Sequence, residues 1–166
     1  MENVVARVAV TLLTILGIAF VGTLGYSLYS YYKIQSVSSD INMLITNARG
    51  AFSQNANGYT NFTNANLTGM NNAGLFPPDM VRAAGLMDAW GNDVTLGSAS
   101  GATQGSVQFG GGGSETSRQC AGVVTTLKDY VSLTVGGQAF TQDNLPDSVS
   151  AGTACAADPT ITVVFQ

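Results

Sequence analysis

The chain contains no histidine, and that absence removes the ordinary general base, the Ser-His nucleophile pair and every imidazole metal ligand. An enzyme built on it would have Asp, Glu, Cys or Lys alone to work with, and no catalytic constellation of those residues stands out. Charge is scarce as well, since only 10% of the 166 residues are Asp, Glu, Lys or Arg. The six basic residues, Arg7, Lys33, Arg49, Arg82, Arg118 and Lys128, are scattered. No patch exists that neutralises several phosphates at once, and specific nucleic-acid binding is not expected. Cysteine is limited to Cys120 and Cys155, whose spacing matches neither a C-x-x-C redox motif nor a four-ligand zinc site. The simplest reading is one disulfide, which persists only in an oxidising compartment, and the alternative is two buried free thiols.

What the chain has in quantity is apolar sequence, 45% of residues, and much of it lies in one place. Residues 8–32 form a run of 25 without a charge, bounded by Arg7 and Lys33. A helix of about 20 residues spans a hydrocarbon core of about 30 Å, so this run is an anchor candidate. Tyr26, Tyr29, Tyr31, Tyr32 and Lys33 close it as an interfacial belt, which favours a retained segment over a cleaved signal peptide.

The helical pattern continues beyond the belt. Ile34, Val37, Ile41, Leu44, Ile45, Ala48 and Phe52 recur at three- and four-residue steps, and Gly50, Ser53, Asn55, Asn57 and Gly58 supply stop and turn signals near residue 54. A single helix over residues 1–53 would be roughly 80 Å long and would need a partner along most of its length. Gly17, Gly22 and Gly25 interrupt its apolar half, either to let small residues pack closely in a membrane or to let the helix unwind locally when lipid is exchanged for neighbouring subunits. Glu2 and Arg7 are the charges at the buried end. Each either stays in the headgroup layer or meets an opposite charge of the next subunit, setting the axial register.

The remainder, residues 54–166, reads as a head domain. Its first stretch is dense in Asn and is expected as an exposed loop, whose Asn61 and Asn66 sequons are attributed to chance. Residues 76–85 read as a capped helical turn. Strands are expected over 94–96, 106–109, 131–135 and 160–165, and a helix within 114–130 with Ser114 or Ser117 as N-cap. Gly110 to Gly113 read as a flexible joint and not a phosphate cradle, because no Gly-Lys-Ser or Gly-Lys-Thr follows. Asp143, Asp147 and Asp158 lack a calcium-loop frame, and Asp79, Asp88 and Asp93 are assigned to caps and turns. No metal or cofactor site is expected. The fold class is α+β, a long N-terminal helix packed on a small, mainly antiparallel sheet.

The whole pattern resembles the type IV pilins, in particular the type IVb pilins of enterobacterial and conjugative-plasmid thin pili. The likeness rests on an acidic residue near a very apolar N-terminus, the long helix, the segments 75–80 and 89–92, Cys120 opening a helix, and Ala154-Cys155 before a terminal Thr-rich strand. It implies a prepilin cleaved by a dedicated prepilin peptidase and N-methylated at its first mature residue, here Met1, since no basic leader ending in Gly precedes it. It further implies residence in the bacterial inner membrane, then assembly with copies of itself by pilus machinery into an extracellular helical filament. Helix residues 1–33 would form the filament core, residues 34–53 the amphipathic half, and the region bounded by Cys120 and Cys155 the surface. A major subunit serving conjugation, adhesion or aggregation is the principal expectation. A pseudopilin or minor pilin, and a bitopic membrane protein with a ligand-binding ectodomain, are the alternatives. Two departures stand out: pilins carry their acidic residue at the fifth mature position, whereas here Glu2 is second with Arg7 following, and the usual anchor proline is missing.

Overall fold

In the computed structural model the backbone is described from Glu2 to Gln166, and side chains for residues 10–15, 25 and 27–166. Helix α1 (Glu2–Phe52) is unbroken. The chain divides into two compact units, Met1–Tyr32 and Lys33–Gln166.

In the second unit the apolar stripe predicted on α1 becomes one wall of the core. Val37, Ile41, Leu44, Ile45 and Ala48 are all at most 3% exposed, while Gln35, Ser39, Met43, Thr46 and Gly50 face outward. The opposing wall is a five-stranded antiparallel sheet made of β3 (Thr95–Ala99), β4 (Gln104–Phe109), β5 (Ser132–Val135), β6 (Gln138–Phe140) and β7 (Ile161–Phe165), in the order β3-β4-β7-β5-β6. The C-terminal strand β7 lies at the centre, pairing with β4 and β5. Its period-two alternation buries Ile161, Val163 and Phe165 completely. The registers Val107↔Val163 and Leu133↔Val163 extend that buried row across three strands.

Several segments depart from the sequence expectations. The Asn-rich stretch is anchored: Tyr59 and Phe62 are buried, and with Phe52 and Phe165 they form an aromatic cluster with centroids 5.5 to 6.0 Å apart. Gly105 makes room for it, because a Cβ there would lie 2.6 Å from Phe165 Cζ and 2.8 Å from Tyr59 Cδ1. Asn64 staples the same stretch to β3, its amide donating to Val94 O (2.9 Å) and accepting from Leu96 N–H (2.6 Å). A short helix, α2 (Leu67–Asn72), follows. Residues 78–80 form a 3-10 turn led by Pro77 and Pro78, but no helix continues. Instead β1 (Val81–Arg82) and β2 (Gly85–Leu86) make a small hairpin, which the positive φ of Gly85 (136°) permits.

Helix α3 (Ser117–Thr126) is shorter than the predicted window, and its cap is Thr116, between the two serines expected to serve. Thr116 Oγ1 accepts from Gln119 N–H while the Gln119 side chain accepts from Thr116 N–H, a reciprocal box. A further helix, α4 (Ser148–Ala157), stands where only a run into the last strand was foreseen; Asp147 and Ser150 cap it in the same way. The disulfide between Cys120 and Cys155, with Cα atoms 5.9 Å apart, therefore joins two helices, α3 to α4.

Candidate functional site, the long helix and its fastening

Of the predicted site residues, Met1, Glu2, Arg7, Gly17 and Gly22 lie outside the described residues or their described side chains. Gly25 is exposed, with open space where a Cβ would stand. Cys120 and Cys155 are bonded to each other and buried.

In the first unit, Val10, Leu12, Leu13 and Ile15 are 56 to 70% exposed. At about 100° per residue these four positions are spread around the whole circumference of α1, which is unlike a surface helix with one apolar stripe. Thr14 turns its hydroxyl onto Val10 O (2.6 Å) and so presents little polarity. Nearer the second unit, Leu28, Tyr29, Tyr31 and Tyr32 are also more than half exposed. Covering one large apolar side chain is worth roughly 1.5 to 3 kcal/mol. A helix apolar on every side is stable in water only when something surrounds it. Among the described residues no helical stretch is long and apolar enough to cross a membrane; within the run 8–32 the side chains of 8, 9, 16–24 and 26 lie outside them.

In the second unit the rear of α1 is fastened to the head by polar side chains as well as by the core. Lys33 donates to Ala89 O, Ser38 and Thr126 share a hydroxyl hydrogen bond (2.7 Å), and the Asn47 amide donates to Leu75 O (3.0 Å). Arg49, in the last turn, donates through Nε to Gln166 O (2.8 Å) and through Nη2 to Asp129 O. Its guanidinium carbon lies 5.7 Å from the Phe165 ring centroid, within cation-π range. One side chain thus ties the helix end to the sheet's central strand and to the α3–β5 loop.

Asp88, assigned from sequence to a turn, does more than close one. It is buried, and its carboxylate accepts from Trp90 N–H (2.9 Å), Asn92 N–H (2.9 Å) and Gly110 N–H (3.1 Å). The Asn92 amide bridges Asp88 to Glu115, donating to Glu115 Oε2 at 2.9 Å, and Gly111 N–H donates to Glu115 as well. Burial pushes the Asp88 carboxyl above its usual range, opposed by those N–H donors. Gly110 and Gly111, at φ 73° and 80°, are fixed by this network, so the glycine run is not simply a loose joint. Nothing in the sequence marked Glu115. Asp40 on α1 is also raised, by burial first and the nearby Asp79 carboxylate second. Among the described residues no group of three or more His, Cys, Asp or Glu is placed to hold a metal ion.

A long N-terminal helix on an antiparallel sheet, with a disulfide bracing the C-terminal part, is the architecture of the type IV pilins. A crystal structure of a type IV b pilin from Salmonella typhi has the same fold, at a TM-score of 0.54 and 15% identity, covering 80% of this chain and 97% of that one. The chain belongs to the PilS family, whose model, described as PilS N terminal, matches residues 31–166, and it is a type IVb pilin. No curated protein sequence matches it.

Proposed function

We propose that this pilin is the major structural subunit of a type IVb pilus, held in the bacterial inner membrane by residues 8–32 before assembly and then polymerised through the same helix. The observation that carries this is the all-round apolar exposure at residues 10–15, which suits a helix surrounded first by lipid and then by helices of other copies. Exchange of one apolar environment for another costs little, so transfer from bilayer to filament core is energetically close to neutral and is driven by the assembly machinery. In this scheme a prepilin peptidase processes the chain, Met1 carries the methylated amine, Glu2 and Arg7 set the axial register, and Gly17, Gly22 and Gly25 permit local unwinding. The filament serves cell contact, as in conjugation, adhesion or aggregation.

Glu2→Ala tests the register. The variant should stay in the membrane fraction while sheared pilus yield falls at least tenfold, about 1.4 kcal/mol in the assembly equilibrium. Normal yield would remove Glu2 from the mechanism.

A further inference from the structure

Beyond the α1 end, two loops face each other across an open cleft of about 480 Å³, within the size range of small-ligand pockets. One loop follows α1 and carries Ser53, Asn57 and Thr60; the other is the β3–β4 hairpin, with Gly101, Ala102 and Thr103. They are locked together. Tyr59 N–H donates to Ala102 O at 2.7 Å, and at Gly58, whose φ is 50°, an added Cβ would overlap that same carbonyl. The hairpin is itself strained: Ser100, Gly101 and Ala102 take consecutive positive φ values of 50°, 65° and 67°, two of them on residues with a Cβ. Such backbone is held only where its surroundings over-determine it, which makes a cleft whose shape is set before anything binds.

The chemistry of the walls is narrow. No charged side chain lines the cleft; Gln166 completes the lining, its main-chain oxygen held by Arg49 Nε at 2.8 Å. Three hydroxyls spend their protons on local carbonyls: Ser53 on Arg49 O (2.6 Å), Thr60 on Asn57 O (2.6 Å) and Thr103 on Ser100 O (2.8 Å). Asn55 spends an amide proton on Ala51 O (3.1 Å) in the same way. Each keeps oxygen lone pairs unused, and the amides of Asn55 and Asn57 keep N–H groups, so the walls offer both acceptors and donors. The complementary ligand is rich in hydroxyls, which both donate and accept.

We infer that the cleft between the 53–60 loop and the β3–β4 hairpin is a binding site for a neutral polyol, specifically a short run of uncharged sugar units. Uncharged glycan fits both the lack of charged side chains and the mixed donors and acceptors of the walls, and a preshaped cleft lowers the ordering cost that makes such ligands weak binders. The site lies wholly in the second unit.

The test uses the full isotope-labelled chain in polyoxyethylene detergent micelles, which carry no sugar headgroup, titrated separately with maltotriose, cellotriose and N,N′,N″-triacetylchitotriose. Saturable shifts confined to the backbone amides of residues 57–60 and 101–103 are expected with at least one trisaccharide, at a Kd of about 1 mM. Asn57→Ala, which keeps every backbone bond of the loop, should weaken that binding at least fivefold without moving the melting temperature. Three results overturn the inference: no saturable shift with any probe up to roughly 50 mM, shifts of equal size around the separate β1–β2 hairpin, or binding unaltered by Asn57→Ala.

Discussion

Removing the bond between Cys120 and Cys155 is the perturbation whose size follows most directly from the structure. The two residues are 35 apart in sequence. In the chain-entropy account, closing a loop of that length removes about 13 cal/mol/K from the unfolded chain, or about 4 kcal/mol at 25 °C. Both cysteines are at most 1% exposed and join α3 to α4, elements otherwise linked through a turn, two strands and a loop. Reduction of the natural chain keeps both sulfurs in the core and so isolates the cross-link, whereas Cys120→Ala with Cys155→Ala adds the cost of the emptied volume. Thermal unfolding of the full chain in detergent, followed by circular dichroism with and without a thiol reductant, should show the melting point falling by roughly 10 to 20 °C on reduction. The double alanine variant should melt no higher than the reduced chain and should not respond to reductant. A shift of under about 3 °C would refute the view that the cross-link is a principal support of the head.

Gly58→Ala should destabilise the head by about 2 kcal/mol or more, since its φ of 50° and the Ala102 carbonyl both exclude a side chain; urea unfolding reads it. Phe62→Ala, at a site that is completely buried in the aromatic cluster, should cost about 3 to 5 kcal/mol by the same measurement. Asp88 titrates above its unfolded value, so the folded state holds a proton that the unfolded state releases. Its contribution is therefore full below about pH 3.8 and is lost as pH rises through the folded value. Asp147 and Asp158 act in the opposite sense, because N–H donors lower both: their contribution is present above about pH 3.8 and is lost as pH falls through their folded values. Comparing stability against pH for the natural chain and Asp88→Asn should show that the variant lacks the decline as pH rises above about 3.8, and matching slopes would assign it elsewhere.

The long helix was legible because two periods are written into it: an uninterrupted apolar run, then a three-and-four spacing whose members Val37, Ile41, Leu44, Ile45 and Ala48 are the ones that the core takes up. Strands β4, β5 and β7 announced themselves by alternation. Tyr59 and Phe62 were passed over because Asn and Thr surround them, and the average polarity of the stretch hid two core anchors three residues apart. Apart from Val149 and Cys155, helix α4 is Ala, Ser, Gly and Thr with little hydrophobic contrast, yet its capping pair, Asp147 with Ser150, stood in the sequence, as did the Thr116 and Gln119 pair of α3. The β1–β2 hairpin was read as part of a capped helical turn because Pro77 and Pro78 suit the entry of one and Gly85 its exit, whereas Gly85 serves the hairpin instead. The Asn92 to Glu115 bond and the meeting of the 53–60 loop with the β3–β4 hairpin join segments more than 20 positions apart, and no local pattern encodes such meetings.

The most direct test of the central claim is helical reconstruction by electron cryo-microscopy of filaments sheared from cells that express this chain with its assembly machinery. Assembly through the N-terminal helix predicts filaments in which Val10, Leu12, Leu13 and Ile15 are covered on all sides by helices of neighbouring copies. Filaments that leave those side chains uncovered, or a chain found only in the membrane while a control pilin assembles, would contradict it.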